Sequence, residues 1–252
     1  EALRFIHFSD GLIELESAIR RLKFDEHFFL QLLLALRKKN IQSCRAKRLI
    51  DVGPYFRLVS ETLDYELTNA QKNVIQEVHL DMKKSYPMNR LIQGDVGCGK
   101  TIVAILVSTL AVGNHVQVAV MAPTEILARQ HYHSFKEQLD KVKIACSLLV
   151  GKMKRSDRGP ILSGLKNGDI PVIIGTHALI QEDILFKNLG LAIIDEQHRF
   201  GVNQRATLLK KGRNPHAMSM TATPIPRTLA ITYHGDMDLS IIDELPTNRI
   251  PV

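Results

Sequence analysis

No apolar run in these 252 residues approaches the ~20 needed to cross a bilayer, and no charged-then-apolar leader opens the chain. Neither a membrane span nor a secretory signal is therefore expected. Cysteine is scarce. Cys44, Cys98 and Cys146 lie far apart, without metal-ligand spacing, and their number is odd. That excludes a disulfide framework and a zinc site, and it fits a reducing cytoplasm. There is no internal repeat and no low-complexity tract. The first residue is Glu1 rather than Met, so the chain is expected to be a fragment. What is present is ordinary for a globular protein, with 45% hydrophobic and 23% charged residues. A net charge of +7 permits a polyanionic partner. At this length the expectation is one large domain, or one domain with an appendage.

Residues 1–60 differ in texture from the rest. Leu15, Ile19 and Leu22, then Phe29, Leu32, Leu33 and Leu36, recur at three- and four-residue spacing, which predicts an amphipathic helix with one buried face. A basic stretch follows from Arg37 to Arg48, and Asp51-Val-Gly-Pro54 signals a turn. Beyond Leu67, short apolar runs alternate with helical segments. The runs are 90–93, 116–122, 144–150, 171–176, 189–195 and 217–221. The helical segments include 101–112, 125–139 and 156–167. This alternation predicts an α/β fold with a parallel sheet covered on both faces. Ligands of such sheets bind beyond the carboxyl ends of the strands. The tail, Asp243 to Arg249, reads as a linker.

Gly94-Asp95-Val96-Gly97-Cys98-Gly99-Lys100-Thr101 matches G-x-x-x-x-G-K-[ST], with a strand before it and an apolar helical segment after it. Glycines let backbone N–H groups turn inward around phosphate oxygens. The helix beginning near Lys100 adds its positive dipole end. Lys100 is expected on the β- and γ-phosphates, and the Thr101 hydroxyl on Mg²⁺. The run 191–196 is an apolar strand ending in two acids. Carboxylates at the exit of a buried strand need a charge partner. A Mg²⁺ held by Thr101 and Asp195 supplies one, and Glu196 is placed to orient or deprotonate a water.

These residues also resemble a family. Asp195-Glu196-Gln197-His198 resembles the DEAD/DExH-type box of superfamily 2 helicases. Leu67-Thr-Asn-Ala-Gln71 resembles the adenine-reading Q motif, with Tyr65 where an aromatic sits. Ala122-Pro123-Thr124-Glu125 resembles motif Ia, Gly175-Thr176-His177 motif Ib, and Thr221-Ala-Thr223-Pro224 motif III. The segments starting at Arg90, Met121, Ile194, Met220 and Gly235 are similar to RecG-type branched-DNA helicases. The translocase module of the transcription-repair coupling factor is a related alternative. Its box ends Glu-Glu-Gln where this chain has Glu196-Gln197-His198. Cys98 departs from the serine expected there in the RecG type, and its thiol is expected to make the site oxidisable.

The resemblance implies a RecA-like motor domain over residues 61–246. It implies that residues 1–60 are a helical link to a wedge domain, although a simple cap on the sheet fits the periodicity as well. Residues 247–252 would begin a linker to a second motor domain. It further implies ATP and Mg²⁺ as cofactors, branched duplex DNA as partner, and coupling of ATP turnover to fork remodelling. Gln71 would read adenine. Gln197 and His198 would relay the γ-phosphate state towards Thr221 and Thr223. Pro123, Thr124, Thr176 and His177 would touch the DNA backbone, though hydroxyls at strand ends also suit capping. The run Lys152, Lys154, Arg155 and Arg158 reads as a solvated charged face. A binding module that senses ATP without turnover is the remaining alternative, and the second acid, Glu196, speaks against it.

Overall fold

Val, Ile and Leu crowd the strand segments of this chain because both faces of its sheet are covered. The computed structural model describes residues 1–9, 11–151, 153–223 and 237–246. Seven strands form one sheet: β1 (Asn89–Gly94), β2 (Gln117–Met121), β3 (Cys146–Leu149), β4 (Val172–Gly175), β5 (Leu189–Asp195), β6 (His216–Thr221) and β7 (Asp238–Ile242). Their order is β3-β4-β2-β5-β6-β1-β7, and every pairing is parallel. Six strands coincide with the apolar runs seen in the sequence.

Parallel neighbours require crossovers, and helices supply most of them. They are α5 (Lys100–Gly113), α6 (Glu125–Asp140), α7 (Arg155–Asn167) and α8 (Val202–Leu209). Alternate residues of each strand feed two cores. Val118, Val120, Ile174, Ile193 and Met218 pack on one face with Leu106, Leu110, Phe135 and Leu139. Ala119, Met121, Ile173, Ala192 and Ile194 pack on the other with Leu165, Leu179 and Leu208. Each Leu or Ile so buried contributes about 1.5–3 kcal/mol. Helix α5 is buried at every position from Ile102 to Ala111, so it reads as apolar all round rather than as a stripe.

Two shorter helices precede the sheet, α3 (Gly53–Glu61) and α4 (Asn69–Met82). The turn signal at Asp51–Pro54 is the start of α3, with proline in the first helical turn. Leu49 and Val59 are fully buried in the first core. Helix α4 opens with a reciprocal capping box. Thr68 Oγ1 accepts from Gln71 N at 3.2 Å, and Gln71 Oε1 accepts from Thr68 N at 3.0 Å.

Strand β7 went unseen in the sequence because Asp238 and Ser240 interrupt its apolar residues. It is held on the sheet edge by polar groups. Arg90 on β1 donates to Asp81 (2.8 Å), Glu77 (2.9 Å) and the Ser240 hydroxyl of β7 (2.7 Å). The tail beyond β7 stays tied to the domain as far as Glu244, whose Oε2 accepts from Ala70 N at 3.1 Å, in the first turn of α4. Residues 247–252 lie outside the described residues.

The described residues divide into two units, one formed by the opening segment up to Ile41 and the other by the sheet domain from Gln42 onward. In the first, α1 (Ala2–His7) precedes α2, which runs Leu12–Ser43. The predicted helix is present and longer than expected, but its apolar stripe is largely uncovered. Leu15, Ile19 and Leu22 are half-buried, while Phe29, Leu32, Leu33 and Leu36 are exposed. Among the described residues, no helix is long and apolar enough to cross a membrane.

Candidate nucleotide site

The site is assembled where β5, β6 and β1 end side by side. Strands lie about 4.8 Å apart, so the exits of β5 and β1 are about 10 Å from each other with β6 between them. Asp195 pairs in register with Met220, and Thr221 with Gln93. The loop after β1, the acids after β5 and the hydroxyls after β6 therefore share one edge.

The loop has the backbone its glycines predict. Gly97 and Gly99 lie at φ 86° and 89°, in the left-handed region where a side chain is strained. A Cβ on Gly99 would also collide with the Gln71 amide nitrogen. One on Gly94 would sit 2.5 Å from Cys98 Sγ and 2.9 Å from Ile242 O. The N–H groups of Gly97, Gly99, Lys100 and Thr101 donate to no described backbone carbonyl, as expected for a loop that opens a helix. Lys100 Nζ donates to the carbonyls of Gly94 (2.6 Å) and Asp95 (3.0 Å). Its charge is thus folded onto its own loop, over the cradle an anion would fill. Asp95 and Val96 are exposed on the outer rim.

Cys98 is a correction. The thiol was expected to be oxidisable, but it is 1% exposed and burial pushes its pKa up, against the lowering effect of Lys100. A buried thiol held protonated is a poor nucleophile.

Gln71 is buried with both ends of its amide engaged. Beyond the capping box, its Nε2 donates to Cys98 O at 2.7 Å. It thus ties α4 to the phosphate loop. Lys72, the next residue in the chain, lines a cleft of about 610 Å³ together with Leu63, Asp64, Tyr65 and Leu67. Burial, with Glu137 and Asp64, pushes the Tyr65 phenol up.

After β5, Asp195 is nearly buried and its Oδ2 accepts from His131 Nε2 at 2.7 Å. Glu196 takes a left-handed backbone (φ 48°), rare for a residue with a side chain and costing about 1–3 kcal/mol. That turn sends its carboxylate sideways to β6. Oε2 accepts from Thr221 Oγ1 at 3.3 Å and Oε1 from Ala222 N at 3.2 Å. Thr221 and Thr223 hydroxyls bond each other at 2.7 Å. The link from the acid box to the threonines therefore runs through Glu196. Gln197, expected in that relay, turns away to Arg205 of α8, whose Nη1 donates to its Oε1 at 3.0 Å. The side chain of His198 lies outside the described residues, as do Pro224 and Arg227.

The loops expected to touch DNA occupy the same carboxyl edge. Thr124 is exposed and caps α6, accepting from Leu127 N at 3.3 Å, so the capping role is real. Pro123 is half-buried and His177 exposed. Thr176 is buried, and its hydroxyl has no partner. In the basic run, Arg158 is spent on Gln181 and Asp183, at 2.5 and 2.9 Å, which fits a charged face. Lys152 and the Arg155 side chain lie outside the described residues.

Two residues escaped the sequence reading, Arg205 and His131. His131 did leave a signal. It stands on the buried stripe of α6 with Ala128, Phe135 and Leu139, where a polar side chain needs a partner.

Among the described residues, no cluster of three His, Cys, Asp or Glu side chains could hold a metal alone. A hydroxyl, a carboxylate and phosphate oxygens are hard donors of the kind Mg²⁺ prefers, and Mg²⁺ characteristically takes only one or two carboxylates with substrate phosphates. Thr101 and Asp195 fit that pattern.

Comparison with known proteins agrees with this arrangement. The DEAD/DEAH box helicase family model matches residues 68–231. The "ATP-dependent DNA helicase RecG" of Synechocystis sp. is 48% identical over all of this chain, which covers 30% of that protein. The protein of the same name from Aquifex aeolicus is 50% identical over 91% of the chain, covering 29% of its length. A solved structure described as RecG bound to a three-way DNA junction superposes with a TM-score of 0.85 at 44% identity, over the whole chain and 34% of its own. The chain thus spans about a third of the length of the curated relatives it matches. With the family model covering more than half of the chain, and its P-loop, acid box and threonine pair meeting at one sheet edge, the chain belongs to the DEAD/DEAH box helicases.

Proposed function

We propose that this chain is the first motor domain of an ATP-dependent DNA helicase that couples ATP hydrolysis to remodelling of branched DNA. The observation that carries the reading is the single edge where the Gly94–Thr101 loop, the Asp195-Glu196 pair and Thr221 meet across β6. Lys100 would leave its two loop carbonyls for the β- and γ-phosphates. Mg²⁺, held by Thr101 and Asp195, would neutralise charge on the phosphates. Glu196 would then orient and deprotonate the attacking water. Its present bonds to Thr221 and Ala222 give it a second position, so loss or gain of that contact is a natural signal of nucleotide state. Gln71 would read adenine beside the Tyr65 cleft while keeping hold of Cys98 O. Branched DNA as the partner rests on the RecG relatives, and on the exposed loop ends at Thr124 and His177. The uncovered stripe of α2 supports a docking role for the opening segment, towards a wedge domain.

Phosphoryl transfer in such motors draws on an arginine from across the cleft, worth about 10³–10⁵ in rate. The chain alone should therefore bind Mg·ATP and hydrolyse it poorly. The test is ATP turnover by the chain and by the full-length protein, with and without a three-way DNA junction, using Glu196→Gln as the blank. Junction-stimulated turnover by the full-length protein alone is expected. Full-length turnover equal to the blank would overturn the motor reading.

A further inference from the structure

We propose that His131 is a positioning residue for the metal-binding carboxylate. Its Nε2–H fixes Asp195 so that the other oxygen is held ready for the cation of a Mg·ATP complex. The inference deepens the nucleotide reading above and rests on it.

A carboxylate at a strand end can rotate and present either oxygen, or bridge with both. Asp195 does not have that freedom. Its Oδ2 lies 2.7 Å from His131 Nε2, and both side chains are about one-tenth exposed (10% and 11%). A hydrogen bond to an ionised group in such surroundings is stronger than one in water. With the carboxylate ionised, the imidazole nitrogen is the donor. Among the described residues, His131 is the only side chain bonded to Asp195, and Oδ1 has no protein partner. One oxygen is thus spent on orientation and one is left over. Carboxylates that bind metals are commonly held this way, and removing the outer partner typically costs 10–100-fold in metal affinity.

The imidazole is itself held. It projects from the buried stripe of α6, between Ala128 and Phe135, both fully buried. Helix α6 is capped at its start by Thr124 and packed on the sheet through Phe135 and Leu139. A donor on the buried stripe of a helix is a better orienter than one on a loop, because its rotamer is set by packing. A histidine that merely filled core space would do as well as leucine, and that difference can be measured.

The measurement is the affinity of the chain for a fluorescent ATP analogue, first at saturating Mg²⁺ and then in EDTA. The unmodified chain is expected to bind more tightly with Mg²⁺. His131→Leu keeps the bulk and removes the donor. It should lose about tenfold in the Mg²⁺-supported affinity while its affinity in EDTA stays within about twofold. His131→Gln, whose amide nitrogen reaches about as far as Nε2, should recover most of the loss. Equal Mg²⁺ dependence in the leucine variant and the unmodified chain would overturn the proposal. So would a glutamine variant as impaired as leucine, or a leucine variant weakened equally in EDTA. An unmodified chain whose affinity ignores Mg²⁺ would remove the assignment of Thr101 and Asp195 to the metal, and this proposal with it, whereas one that binds no analogue at all would remove the nucleotide-site reading itself.

Discussion

The two edges of the sheet treat their polar groups in opposite ways. At the amino edge the buried side chains of His216, Asn114 and Gln117 are all partnered. His216, at the start of β6, accepts Met88 N–H on Nδ1 (3.0 Å) and bonds Lys47 O through Nε2 (2.8 Å). Asn114 bonds Asp51 and Leu110 through its amide, and Lys47 Nζ donates to its carbonyl. Gln117 bonds Leu165, Ile170 and Asn188. At the carboxyl edge the accounts do not close. Among the described residues, the buried side-chain atoms without a partner are Gln93 Oε1, Thr176 Oγ1, Gln197 Nε2 and Arg205 Nε. Gln93 is the last residue but one of β1, Thr176 follows β4, and Gln197, bonded to Arg205, follows β5. An unpaired buried polar atom costs about 1–3 kcal/mol, so a protein keeps several in one place only where something else uses them. One edge spends its buried polar groups on the fold; the other leaves several unpartnered beside the nucleotide site proposed above.

That contrast predicts a separation of effects. The largest belongs to Lys100→Ala. Losing a charged donor to phosphate oxygens should cost about 3 kcal/mol of binding, or about a hundredfold in nucleotide affinity. Stability should hardly change, because the lysine now bonds only two loop carbonyls. Calorimetric titration and a thermal melt of the same variant check both halves. Unchanged affinity would break the assignment of that edge.

The amino edge should show the reverse. His216→Ala leaves Met88 N–H and Lys47 O without their side-chain partner, and should cost about 1–3 kcal/mol of stability. Nucleotide affinity of the folded protein should stay within about twofold. The same histidine gives the contrast a pH signature. Burial lowers its pKa below the usual 6.5, and its Nδ1 must be unprotonated to accept the Met88 N–H. A histidine with a depressed folded pKa is charged more readily in the unfolded chain. Stability is therefore full above about 6.5 and is lost as pH falls through the unfolded value towards the folded one. Chemical denaturation at pH 7.5 and 5.5 should show a drop for the unmodified chain, and a smaller one for His216→Ala. The smallest effect is expected for Arg129→Ala. It breaks an exposed pair with Glu125 one turn away on α6, worth at most about 0.5 kcal/mol. A larger loss in nucleotide binding there would mean that α6 carries more than the His131 contact.

Much of the frame was readable beforehand. Six strands and the crossovers α5, α6 and α7 fall where alternating apolar runs and helical spacings placed them, because a sheet buried on both faces demands unbroken Val, Ile and Leu. The phosphate loop was readable because its glycines serve the backbone, and backbone demands are local. Strand β7 was not readable. It is fixed by Arg90, Glu77 and Ser240, a network spanning more than 150 positions of sequence. The stripe on α2 was readable as a helix, but periodicity does not say what covers it.

Sequence by itself determined which residues could bind a nucleotide, since residue type and spacing decide what a loop or a strand exit can chemically offer. It did not determine how those residues are held. That Glu196 turns to Thr221, that Gln71 grips the loop, and that His131 bonds Asp195 are matters of which strands lie side by side. Neighbours across a parallel sheet are set by the packing of its crossovers. Only the folded chain brings His131 within 2.7 Å of a residue 64 positions away.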